Sequence, residues 1–445
     1  MKKLLAGFRK RDITPSCPAS LAGYLNERIS QGVLDPLYLR LALLVCGDEP
    51  ALFVQIDSCL IGSDDVDDIK RGIRTRTGIG SGNVVVLTSH THTAPALMEL
   101  FGLKKEDPYL LKLKEMILEE ASLLIADVPV TARIWRTESD GLSFNRRWFL
   151  KDGRLVTNPP KCSPQLDRPE GPVDCEIQAL SFSDEQDRVQ AIFVNLSNHT
   201  DTIGGSRISA DWPGHLEREL QRRLGCPVPV LTFLAPQGNI NHFEFDSPRL
   251  QTGEGEAVRI GTLYARMVAS AMKNSRPVPI DRIIGKTKTL SIAPREVAPY
   301  DIDDAEKIMA TEVETRSADL TAEDLARGDI AVRKIFAREL LRFQREKPDR
   351  YRVPLQLLCV GPIAFAAIPG EPFAEIGLAL KRMPKEPGEY VWPVALANGY
   401  FGYIPTRESF DHGGYETMAS LLNCLSRDAA HQILDAFVST RDRGA

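Results

Sequence analysis

The sequence predicts an α/β fold, a mixed β-sheet core flanked by helices, on three observations. Apolar, β-branched runs of strand length alternate with amphipathic segments of helical period. Several of these runs stop abruptly at polar residues, the layout of ligand sites where strands of an α/β sheet pass into loops. A hydrophobic content of 43% beside 26% charged residues is that of an ordinary globular chain.

Taken in order, "LRLALLVCG" and "PALFVQIDSCLIG" are strand-like runs divided by "GDEP", which predicts a hairpin or adjacent strands. "SDDVDDIKRGIRTRTG" opens acidic, turns basic and ends on Gly, the boundary signals of a helix. A buried strand, Val84–Leu87, follows it. "DPYLLKLKEMILEEASLLIADV" sets Leu110, Leu113, Ile117 and Ala121 on one helical stripe. "QAIFVNLSNH" and "PVPVLTFLAP" are further buried strands separated by the amphipathic "GHLERELQRRLG". Residues 302–350 are charged, helical in period and poor in strand signals, and read as a helical excursion packed on the core, not a separate functional domain. Strands return at "VPLQLLCVGPIAFAAIPGEP", and "YETMASLLNCLSRDAAHQILDAFVSTRD" closes the chain as helix. No sequence repeat stands out.

The length of 445 residues allows two or three domains, yet no linker offers a cut, and 1–445 reads as one large domain. A net charge of -5 gives no ground for a nucleic-acid or anionic-membrane partner. The five-residue apolar run before "RKR" is too short for a secretory signal, and no run approaches the ~20 residues of a membrane span. The expectation is a cytoplasmic protein with a small-molecule substrate and no stable membrane insertion. The eight cysteines form no CxxC pair, lie mostly in apolar runs, and read as reduced thiols.

The chemistry gathers at four strand ends. "NVVVLTSHTHTAPA" carries His90 and His92, two of only seven histidines. Residues two apart on a strand share a face, so both rings are expected to enter one pocket. On its own this HxH is equally a pair of polar residues closing a strand. "FVNLSNHTD" places His199 after a strand, "FAAIPGEPFAEIG" places Glu371 on a Pro-Gly turn, and "ANGYFGYIP" places Tyr400 and Tyr403 in a glycine-rich loop. Two histidines and a carboxylate with an open position form the usual shell of a catalytic zinc ion. Each also has a bland reading: a satisfied buried histidine, a helix N-terminal charge, amphipathic core tyrosines.

The combination resembles the neutral ceramidase family of zinc-dependent amidases across most of the chain. "AGFRKRDITP", "LAGY" and "FVQIDSCLIG" are similar to that family's opening segment, and "SHTHTAP" to its THTHSGP motif. The resemblance implies one zinc ion held by His90, His199, Glu371 and Tyr403. It implies His92 as a pocket histidine with a catalytic part, Arg146 ("FNRR") as a substrate-contacting arginine, and Tyr415 ("GGYE") as a second active-site tyrosine. "GNINHF" stands where the family has GDVSPN, which puts Asn239 at the aspartate and Asn241 at the serine position. An amide cannot serve as an acyl-accepting nucleophile, so the expected chemistry is amide hydrolysis by metal-activated water. Asn239, Asn241, His242 and Tyr400 are expected to bind substrate. The family's C-terminal β-sandwich has no counterpart here, and no amphipathic surface helix is present to collect a membrane lipid. The expected substrate is therefore an N-acyl amide other than ceramide. The alternatives are a metal hydrolase of a sugar-derived or other polar substrate, and a non-catalytic binding protein.

Overall fold

The computed structural model describes residues 3–312, 320, 324, 327–383 and 389–442. Its three largest sheets are versions of one unit, in each of which three antiparallel strands lead through a helix to a fourth strand parallel to the third. The first contains β1 (Leu4–Asp12), β2 (Tyr38–Cys46), β3 (Glu49–Ile56), α1 (Ser63–Thr77) and β4 (Val84–Thr88), followed by α2 (Asp107–Leu123). The second contains β5 (Thr131–Glu138), β6 (Glu176–Ser183), β7 (Val189–Leu196), α3 (Asp211–Leu224) and β8 (Val230–Leu234), followed by α4 (Glu254–Ala271). In the third, β9 (Ile283–Ile292) leads to two inserted helices, α5 (Pro299–Ala310) and α6 (Ile330–Glu346). After them come β10 (Tyr351–Val360), β11 (Ile363–Ala367), α7 (Ala374–Arg382), β12 (Tyr390–Val394) and the closing helix α8 (Ala429–Asp442).

Alternation along each strand gives every sheet two apolar faces. The inner faces meet in one cluster: Phe53 of β3 stands 5.4 Å from Phe193 of β7 and 4.9 Å from Phe365 of β11, ring centroid to ring centroid. Tilted and edge-on packing of this kind suits the quadrupoles of aromatic rings. The outer faces bury the helices, α1 and α2 on the first sheet, α3 and α4 on the second, α7 and α8 on the third. The α/β class is thus as the sequence predicts. Helix closes the chain only from Ala429, because the preceding stretch makes one 3₁₀ turn at Tyr415–Thr417 and then folds as turns and isolated bridges. All eight cysteines are free thiols; Cys46, Cys59 and Cys424 are buried, and Cys17, Cys162 and Cys175 are exposed. No helix among the described residues is long and apolar enough to cross a membrane.

Polar clamps cross between units. Buried Arg40 of β2 binds Asp57 at 2.9 Å and Glu217 of α3 at 2.6 Å, which fixes the turn that follows β3. Lys70 of α1 reaches Gln356 Oε1 of β10 at 3.0 Å, and Asn398 Nδ2 donates to that same oxygen at 2.7 Å. Burial lowers the Lys70 ammonium to about 7. A lysine whose folded pKa lies below its unfolded value penalises the native state in acid, and the penalty fades as pH rises from about 7 toward 10.5. Lys70→Met, which leaves Gln356 Oε1 its Asn398 donor, should therefore stabilise the protein by about 2–4 kcal/mol at pH 6. That gain should shrink to under about 1 kcal/mol by pH 10, as denaturant titrations at the two pH values would read.

Candidate active site and metal centre

The loops that leave the parallel strand pairs converge on one end of the molecule. His90 lies two residues beyond β4, held at φ 62, a left-handed backbone that non-glycine residues seldom adopt. The two histidines therefore meet through a strained turn and not, as expected, through the two-residue period of a strand, which has ended at Thr88. Arg28 Nη2 holds the carbonyl of His92 at 2.6 Å. His199 follows β7, its carbonyl bound by Trp212 Nε1 at 2.8 Å. Glu371 follows β11 and pairs in parallel register with Tyr403, so these two candidates are backbone partners.

Imidazole and carboxylate atoms meet at the centre. His90 Nε2 lies 3.1 Å from His199 Nε2 and 3.4 Å from Glu371 Oε2, and His199 Nε2 lies 4.0 Å from that oxygen. The Cys59 carbonyl sits 3.0 Å from His90 Nδ1, which assigns the proton to Nδ1 and the lone pair to Nε2. Tyr400 donates to Glu371 Oε1 at 2.8 Å, whereas Glu371 Oε2 is buried without a hydrogen-bond partner. Burial alone would lower the His90 imidazole, but Cys59 and Glu371 outweigh it and raise it well above normal. His199 is pushed well below normal by burial and by the charge of His90.

These facts fit a divalent cation. Two imidazole nitrogens and an orphaned carboxylate oxygen lie within 4.8 Å of one another. Tetrahedral zinc with ligands at ~2.0–2.1 Å keeps its donors about 3.3 Å apart, close to the separations here. An orphaned buried carboxylate oxygen is costly unless a cation meets it.

His92 stands beside this group, its Nε2 3.4 Å from His90 Nε2. Its Nδ1 lies 3.3 Å from Asp201 Oδ1. Burial alone would lower His92, but Asp201 lifts it to about 9. The Cys59 thiol, which burial would raise, is brought down to about 7 by His92 and His90. The Arg146 guanidinium carbon lies 5.2 Å from the ring centres of both Tyr403 and Tyr415, whose hydroxyls are 2.9 Å apart. Arg146 is aimed by Glu416 at 3.0 Å and by the Gly238 carbonyl at 2.7 Å. Glu416 also receives Arg147 at 2.7 Å and Thr157 at 2.7 Å.

His90, His92, Arg146, His199, Glu371, Tyr400, Tyr403 and Tyr415 all line one cavity of about 780 Å³. Three expected substrate-binding residues are not on its wall. Asn239 caps α7 through the Ala374 amide at 2.8 Å, Asn241 binds Asn158 at 2.8 Å, and His242 Nε2 is 2.8 Å from the Gln251 carbonyl. These contacts shape loops, although His242 Nδ1 is buried without a hydrogen-bond partner. Tyr400 reaches the cavity, but its hydroxyl is engaged by Glu371. The excursion proves part of the site: Phe336 of α6 lines the cavity and stacks 5.7 Å from Phe101, while Leu320 joins the wall. Sequence reasoning passed over Cys59, Asp201, Tyr24 and Glu416. Only Asp201, two residues after His199, and Glu416, next to Tyr415, stand close enough to chosen residues to have been found.

The fold is that of the neutral ceramidases. The neutral ceramidase from Pseudomonas aeruginosa matches with a TM-score of 0.73 at 16% sequence identity, over 100% of this chain and 75% of that one. A structure described as ceramidase complexed with C2 matches with a TM-score of 0.72 at 15% identity, over 100% of this chain and 76% of that one. No protein-family model and no curated protein sequence matches the chain.

Proposed function

We propose that this protein is a zinc-dependent hydrolase that cleaves the amide bond of an N-acyl substrate other than ceramide. The observation that carries the reading is the convergence of His90 Nε2, His199 Nε2 and the unpartnered Glu371 Oε2 on the wall of the cavity. Those three residues and Tyr403 would hold the ion. Zinc bound there supplies a Lewis acid for the scissile carbonyl and lowers the pKa of water toward ~7.

The remaining roles belong to the chain. His92 is placed to take a proton from the attacking water and return it to the departing amine nitrogen. Arg146 and Tyr415 stabilise negative charge as it develops on the carbonyl oxygen. Leu60, Leu100, Phe101, Leu250, Phe336 and Leu422 give the cavity an apolar wall suited to an acyl group, and Asn158, Lys161 and Asp201 give it a polar one. A polar substrate would draw on Asn239, Asn241, His242, Arg146 and Arg147, of which only Arg146 is on the cavity wall. The first three are off it and Arg147 is fully buried among Glu170, Glu416 and backbone carbonyls, which favours the acyl substrate.

Metal analysis of the purified protein should find one zinc per chain. Amine release should be faster from N-acyl amines with apolar chains than from N-acylated sugars, and chelation should abolish it. Undiminished turnover after chelation, or preferential release from the sugars, would sink the proposal.

A further inference from the structure

His92 has two ring nitrogens in different surroundings. Nε2 looks toward His90 at 3.4 Å, on the side where the candidate metal ligands meet. Nδ1 is buried and makes no well-aligned hydrogen bond, with Asp201 Oδ1 standing 3.3 Å away. A buried N–H without an acceptor costs about 1–3 kcal/mol, and contacts of this kind run long in the absence of substrate.

The surroundings of this pair are built to hold it. Tyr24 donates its hydroxyl to Asp201 Oδ1 at 2.9 Å and presents its ring edge-on to His92 at 6.0 Å. Arg28 lies 3.9 Å over the Tyr24 ring and binds the carbonyls of Ala22 and His92 at 2.6 Å each. Its other nitrogen holds the Gly205 carbonyl at 2.7 Å, tying down the loop that carries Asp201. Gly23, at φ +101, lies so close to the imidazole that a Cβ there would enter the ring. One arginine thus fixes all three segments that meet at the pair.

We propose that Asp201 is the positioning carboxylate of His92, fixing the Nδ1–H tautomer so that the Nε2 lone pair faces the reaction centre, with Tyr24 holding the carboxylate in place. This rests on the hydrolase reading above, in which Nε2 accepts one proton from water and passes it to the leaving nitrogen. An imidazole in the opposite tautomer would present an N–H at that point and could take no proton.

The test uses the zinc-loaded protein with ¹⁵N-labelled histidine, with the His92 signals assigned by His92→Gln. In the parent protein, read at a pH above the value of about 9 to which Asp201 lifts the ring, His92 should give the pattern of a neutral ring protonated at Nδ1. In Asp201→Ala that pattern should be lost, with zinc content unchanged, kcat lowered 10- to 100-fold and KM within about threefold. Asp201→Glu should restore the tautomer and most of kcat, and Tyr24→Phe should keep the tautomer with a smaller fall. An unaltered His92 pattern in Asp201→Ala overturns the proposal. So does a fall in kcat that Asp201→Glu fails to reverse. Because the tautomer is read without substrate, absence of amide hydrolysis in every variant would count against the proposed reaction and leave this assignment to the spectra.

Discussion

His199→Ala is expected to lose its zinc and, with it, all but a trace of hydrolysis. The ring of His199 contributes a nitrogen 3.1 Å from His90 Nε2 and 4.0 Å from Glu371 Oε2, and its own Nδ1 has no hydrogen-bond partner. Its main-chain contacts, to Asn198 and to Trp212, do not involve the ring. Removing the ring therefore takes a donor from the metal and little from the fold. We expect turnover to fall on the order of 10³-fold or more. Chelation should lower the Tm of the parent protein and leave that of the variant unmoved, because an ion that binds only the native state stabilises it by mass action. Glu371→Gln, which keeps an oxygen for Tyr400 but loses the charge, should bind zinc more weakly. Full zinc content in His199→Ala would remove it from the site.

The strands and helices were legible because hydrophobic period is a local property, and "DPYLLKLKEMILEEASL" or "VVVLT" carries it without help from distant residues. The four strand ends were legible for the same reason, since an apolar run breaking into His or Glu is visible in a ten-residue window. What could not be read was which polar atoms spend themselves on the fold. Asn239 and Asn241 look like substrate ligands in sequence, yet they cap a helix and bind a neighbouring side chain through contacts of high sequence separation. Asp201 and Glu416 failed in the other direction. An isolated acidic residue in a loop has no period, and its meaning comes from Tyr24 and His92 in one case and from Arg146 and Arg147 in the other.

The threefold arrangement explains more of the site than any single motif. Phe53, Phe193 and Phe365 meet in the core, and six positions after them stand Cys59, His199 and Glu371. The segments "FVQIDSC", "FVNLSNH" and "FAAIPGE" are therefore one strand-and-turn used three times, a repeat too short and too divergent to stand out in sequence. Two copies deliver candidate ligands directly. The first delivers the Cys59 carbonyl that orients His90. The insertions between the first and second strands also recur in function: 13–37 brings Tyr24, 139–175 brings Arg146, and 293–350 brings Phe336. The strand ends and the insertions thus line the cavity together with the loops that follow the fourth strands, among them Leu100, Phe245 and Leu422, and the excursion reaches it as one of three equivalent insertions.

His92→Ala is expected to separate rate from metal. His92 shares a motif with His90 and lies 3.4 Å from it, so proximity alone would predict that the two behave alike. The geometry argues otherwise. Glu371 Oε2 stands within reach of His90 and His199, whereas the carboxylate beside His92 is Asp201, on its Nδ1 side. Losing the ring should lower kcat by roughly 10²–10⁴-fold, the span over which positioned proton transfer acts, while zinc stays close to one per chain. It should also cost about 1–2 kcal/mol of stability, since Gly23 and Tyr24 pack against the imidazole. His92→Gln, which fills the space without a base of suitable pKa, should recover the stability and not the rate. If zinc and rate instead fall together in His92→Ala, His92 is a ligand, and the place assigned to Tyr403 is the one that must be given up.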